Sequence, residues 1–74
     1  MGKNLNDIEM LDLSSNQISN ISVLKNLTNI LILNLTQNKI NNLASLSYLE
    51  NLLELYLESN EITLLNLNFY LLKN

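Results

Sequence analysis

Cysteine, histidine, tryptophan, proline and arginine are all missing from this chain of 74 residues, and glycine occurs once, at Gly2. Without cysteine or histidine there can be no disulfide, no Cys/His zinc site, no thiol nucleophile and no histidine-based triad. One glycine is too few for a Gly-rich phosphate loop. Basic charge is scarce: four lysines stand against seven Asp and Glu, for a net charge of −3. Nucleic-acid binding needs a basic footprint to neutralise phosphates, so no nucleic-acid partner is expected. No unbroken apolar run exceeds four residues, as in Ile30-Leu31-Ile32-Leu33, whereas a membrane-spanning helix needs about 20. No membrane partner is expected either. The first residues lack the charged-then-apolar build of a signal peptide. Absence of cysteine suits a reducing compartment, so the expected location is the cytoplasm. At 47% hydrophobic the chain is not a disordered tail. Its length allows one domain, over residues 1–74, with a small core.

Leucine and asparagine dominate what is present, and they recur on a fixed period. From Ile8 the marked positions are Ile8, Leu11, Leu13, Asn16, Ile18, Ile21, Leu24 and Leu27. Adding 22 returns Ile30, Leu33, Leu35, Asn38, Ile40, Leu43, Leu46 and Leu49. Adding 22 again returns Leu52, Leu55, Leu57, Asn60, Ile62, Leu65, Asn68 and Leu71, with Asn68 alone breaking its column. A fixed period of this length marks a solenoid of stacked repeats. The repeats are 8–29, 30–51 and 52–74, the last degenerate, after a partial one over 1–7.

Spacing within the repeat gives local structure. The step of two from Leu11 to Leu13 puts both side chains on one face of an extended segment. The steps of three through Ile18, Ile21, Leu24 and Leu27 fit 3₁₀ turns better than the alternating threes and fours of an α-helix. Parallel strands are therefore expected over 10–13, 32–35 and 54–57, about 4.8 Å apart. With no proline and almost no glycine, asparagine is expected to supply the turns, through left-handed backbone and amide hydrogen bonds. The Asn16, Asn38 and Asn60 column is read as structural. At the C-terminal end Leu65, Leu67, Phe69 and Leu71 alternate with Asn66, Asn68, Tyr70 and Leu72, which predicts an extended segment, as an added strand or a degenerate cap.

The motif Ile8-Glu9-Met10-Leu11-Asp12-Leu13-Ser14-Ser15-Asn16-Gln17-Ile18, and its copies from Ile30 and Leu52, resembles the leucine-rich repeat. The 22-residue length resembles the class found in a regulatory subunit of protein phosphatase 1, in an axonemal dynein light chain and in bacterial internalins. Internalin-type repeats usually carry Asp and Pro where this chain has Asn20 and Val23. The resemblance spans residues 5–65. It implies an α/β solenoid, a right-handed horseshoe fragment with short parallel strands on the concave face and 3₁₀ or helical turns on the convex face. It implies a module that binds a protein partner through the concave face, as a regulatory or scaffold subunit. Two alternatives accompany it: a fragment of an internalin-like adhesion protein, which would move the location to the cell surface or secretion, and a self-associating structural unit that meets its copies through uncapped ends.

Outward strand positions alternate with the Leu core. They are Met10, Ile32 and Glu54; Asp12, Asn34 and Tyr56; Ser14, Thr36 and Glu58, with Ser15, Gln37 and Ser59 at the edge. Tyr56 between two carboxylates fits a basic, partly apolar partner segment. Catalysis is not expected: Glu54 and Glu58 stand about 13 Å apart along one strand, too far for a glycosidase-type pair. No cofactor or metal is expected, since no EF-hand-like loop occurs. The sequons at Asn20, Asn26 and Asn34 are the coincidences that an Asn-rich chain with scattered Ser and Thr produces.

Overall fold

The computed structural model describes residues 5–72. The expected partial first repeat over 1–7 and the end of the third repeat at 74 lie partly outside the described residues. Three parallel strands, β1 (Met10–Asp12), β2 (Ile32–Asn34) and β3 (Glu54–Tyr56), form one open α/β sheet in the order β1-β2-β3. Each pairs with the residue 22 positions on, so Leu11, Leu33 and Leu55 lie in one row. The ladder runs one step past the regular strands: the N–H of Leu13 donates to the Asn34 carbonyl at 2.8 Å and that of Leu35 to the Tyr56 carbonyl at 2.9 Å. The strands expected over 10–13, 32–35 and 54–57 are thus each one residue shorter, and in the first two the last expected residue is still bonded to the next strand.

Parallel strands require crossovers, and here they are built on 3₁₀ turns. After η1 (Leu5–Asp7), η2 (Ser22–Asn26) links β1 to β2 and η3 (Ala44–Tyr48) links β2 to β3. Steps of three suit this geometry because positions i and i+3 eclipse. Ile21, Leu24 and Leu27 are buried, as are Leu43, Leu46 and Leu49. Each turn is opened by an asparagine: the side-chain oxygen of Asn20 accepts the Ser22 N–H and that of Asn42 accepts the Ala44 N–H, both at 2.9 Å.

The segment after β3 departs from the expectation. Residues 64–72 do not extend; they form α1 (Leu64–Leu72). The turn-opening asparagine column ends here, because Leu64 occupies its third position. Thr63 caps a helix instead: its hydroxyl oxygen accepts the Asn66 N–H at 3.1 Å, and its carbonyl accepts the Leu67 N–H at 3.0 Å. Leu67 and Tyr70, one helical turn apart, both pack on the core. A period of two and a period of three or four overlap in so short a leucine-rich run, and the cap decides between them.

The core is centred on the middle repeat. Ile30, Leu33, Leu35, Ile40 and Leu46 have no solvent exposure. Their counterparts Ile8, Leu11, Leu13 and Ile18 on one side, and Leu52, Leu55, Leu57 and Ile62 on the other, are half-buried. Asn38 is the one buried polar residue among those described. Its oxygen accepts the N–H groups of Asn16 (3.1 Å) and Ile18 (2.8 Å), and its amide nitrogen donates to the carbonyls of Leu13 (3.0 Å) and Leu35 (2.9 Å). Asn60 repeats this one unit later, accepting from Ile40 (2.9 Å) and donating to Leu35 (2.8 Å) and Leu57 (3.0 Å).

Asparagine supplies these bonds but not the left-handed backbone. Positive φ falls on the preceding column, at Ser15 (61°), Gln37 (59°) and Ser59 (60°), and on Gln17 (58°). That corrects the expectation that asparagine would carry both parts of the turn.

Candidate functional site

The candidate site is the outward face of the sheet, arranged in rows by strand register. Met10, Ile32 and Glu54 form the first row; Asp12, Asn34 and Tyr56 form the second. Ser14, Thr36 and Glu58 continue the face, where the Thr36 hydroxyl donates to a Glu58 carboxylate oxygen at 3.3 Å. At the edge, the Ser15 hydroxyl donates to the Gln37 side-chain oxygen at 2.6 Å. Of the nine expected face residues, six stand in two register rows, and Thr36 and Glu58 meet each other after the strands end. The nine are not equally open. Met10 is 68% exposed and Tyr56 41%, and Asp12, Glu54 and Glu58 are exposed, while Ser14, Ile32, Asn34 and Thr36 are half-buried.

The second row contains a substitution with a structural cost. Asp12 and Asn34 each accept the N–H of the residue two positions on, Ser14 at 2.9 Å and Thr36 at 3.0 Å. This Asx bond ends the strand and starts the turn. Tyr56 holds the same place in β3 and cannot make it. Its hydroxyl donates instead to a Glu54 carboxylate oxygen at 2.6 Å. An aromatic side chain thus stands on the face where local turn chemistry calls for a short amide or carboxylate.

The electrostatics of the face are acidic. Asp12, Glu54 and Glu58 contribute three carboxylates, and none of its nine residues is basic. The Ser14 hydroxyl and backbone N–H at Asp12 hold that carboxyl below its usual value. The Tyr56 hydroxyl is pushed up, first by its bond to Glu54, then by the charges of Glu54 and Glu58. Both side chains are exposed and screened by water, so these shifts describe local chemistry and add little to stability. Among the described residues no cluster of three or more acidic side chains is placed to hold a metal ion, and no helix is long and apolar enough to cross a membrane.

Two features went unread in the sequence. Asn29 donates its side-chain amide to the Asn6 carbonyl at 2.7 Å, and Asn51 donates to the Thr28 carbonyl at 3.1 Å. These residues also recur at 22, so following every asparagine column, and not the first alone, reveals them. The Asp12, Asn34, Tyr56 column likewise carries its message in the sequence, as two Asx-turn residues followed by one that is not.

The fold defines a class, a three-stranded parallel α/β sheet with 3₁₀ crossovers. No protein-family model matches the chain, and no curated protein matches it.

Proposed function

We propose that the chain is a leucine-rich-repeat solenoid that binds a basic, extended protein segment across the outward, concave face of its sheet. The observation that carries this reading is Tyr56. Its position forgoes the Asx bond made by Asp12 and Asn34, and the ring is offered to solvent between Glu54 and Glu58. A residue that breaks a repeated local rule, with only an exposed side-chain bond in its place, points to a function. Aromatic side chains are favoured interface anchors because they bring a large, rigid surface. The three carboxylates supply complementarity for lysine or arginine and raise the association rate with a cationic segment. The inward residues fix the scaffold separately, so the face can serve as a reader without contributing to the core. Absence of cysteine supports a cytoplasmic setting.

The experiment is selection from a displayed library of random extended peptides, with the full chain as bait. Enrichment of lysine or arginine flanking an apolar residue is expected, with loss of that enrichment on the Glu54→Lys, Glu58→Lys double variant. Peptides without basic enrichment, retained equally by that variant, would refute the reading.

A further inference from the structure

The two ends of the sheet are chemical complements. At the β3 end the N–H groups of Leu57, Ser59 and Ile62 meet no acceptor among the described residues. One repeat earlier the same positions are paired: Leu35 with the Tyr56 carbonyl at 2.9 Å, Gln37 with the Glu58 carbonyl at 2.9 Å, and Ile40 with the Asn60 side-chain oxygen at 2.9 Å. At the β1 end the side-chain oxygen of Asn16 meets no donor among the described residues, although those of Asn38 and Asn60 do. The apolar columns show the same openness, since Leu11, Leu13, Leu55 and Leu57 are half-buried while Leu33 and Leu35 are fully buried.

We infer that a second copy of this chain docks head to tail, its β1 edge continuing the β3 edge of the first in the 22-residue register. This does not depend on what the outward face binds. The register follows from the two interfaces inside the molecule. In it, Leu57 donates to the Asp12 carbonyl of the next copy, Ser59 to its Ser14 carbonyl and Ile62 to the Asn16 side-chain oxygen. Leu11 and Leu13 of the incoming copy cover Leu55 and Leu57 as Leu33 and Leu35 are covered within one chain. Counted this way, η1 of the incoming copy and the end of α1 fall on one level of the stack. Docking therefore displaces η1, a three-residue turn tied by the 2.7 Å bond from Asn29 to the Asn6 carbonyl. The contact is heterologous, with different edges meeting, so it extends into open arrays and does not close as a dimer.

The test is sedimentation of the full chain over a range of concentrations, together with engineered cross-links, since the chain has no cysteine of its own. In the stack Glu54 of one copy lies opposite Met10 of the next, as Ile32 lies opposite Glu54 within a chain. Within one chain Met10 and Glu54 are two strands apart, about 10 Å, beyond disulfide reach. A mass that climbs with concentration above 8.5 kDa without a plateau is expected. Mild oxidation of the Met10→Cys, Glu54→Cys double variant should give a ladder of covalent oligomers, and neither single variant should cross-link. A monomer mass at every concentration, a plateau at two copies, or covalent dimers from a single variant would each overturn the inference.

Discussion

The side-chain oxygen of Asn38 lies 2.8 Å from the backbone N–H of Ile18, one repeat earlier in the chain. This bond joins neighbouring repeats through a side chain at the place where the strands have ended. Asn38 is only 6% exposed, so water cannot replace what its loss would strand. Asn38→Ala should cost roughly 1–3 kcal/mol, the penalty for buried backbone groups left without partners. Asn42→Ala removes one exposed bond to Ala44 and should cost within about 0.5 kcal/mol. Urea denaturation of the two variants checks this; equal midpoints would remove the asparagine column from the account of the fold.

Gln37 holds φ at 59°, a region in which a β-branched side chain clashes with its own backbone. Gln37→Val should destabilise by roughly 1–3 kcal/mol. Gln37→Gly meets no such clash and should stay within about 1 kcal/mol of the parent, since the lost bond from Ser15 is exposed. Thermal unfolding monitored by circular dichroism separates the two. Indifference to valine would mean that the left-handed turn relaxes freely.

The Tyr56 hydroxyl should ionise above the ordinary tyrosine value of about 10, because ionisation destroys its bond to Glu54 and places like charges together. A group whose value is raised by folding stabilises the fold below its unfolded value and loses that contribution as pH rises through the folded one. The bond is therefore present at neutral pH and lost in strong alkali. Glu54→Gln should bring the ionisation of Tyr56 down. NMR titration of the labelled ring reads this directly, and no movement on Glu54→Gln would show that the pair is not formed.

Thr63 decides whether residues 64–72 wind or extend. Thr63→Ala removes the oxygen that accepts the Asn66 N–H and should cost about 1 kcal/mol, with loss of helical signal at 222 nm. A helical signal unchanged at every temperature would show that packing of Leu67 and Tyr70 alone holds α1.

Strand starts at Met10, Ile32 and Glu54 were legible because one extended step, Leu11 to Leu13, recurs at an unbroken period of 22. The 3₁₀ turns were legible from runs of three. The left-handed column was not, since Ser15, Gln37 and Ser59 are no more suited to that backbone than their neighbours. The N–H groups of Ser15 and Gln37 reach across to the next repeat, to the carbonyls of Thr36 at 2.8 Å and Glu58 at 2.9 Å, and such non-local pairing leaves no local mark. Nor was α1, where Leu65, Leu67, Phe69 and Leu71 mimic a strand and one threonine sets the outcome. On the face, the rows followed from alternation alone. The half-burial of Ile32 and Asn34 did not, because it depends on having a neighbour on each side.

Affinity of a selected basic peptide for two variants tests the outward-face reading most directly. Tyr56→Ala removes the aromatic anchor and leaves the inward core untouched, and should weaken binding by on the order of 1–2 kcal/mol with an unchanged denaturation midpoint. Lys25→Ala, in η2 on the opposite side, should bind as the parent does. Binding lost on Lys25→Ala and kept on Tyr56→Ala would contradict the reading and move the partner to the 3₁₀ side of the molecule.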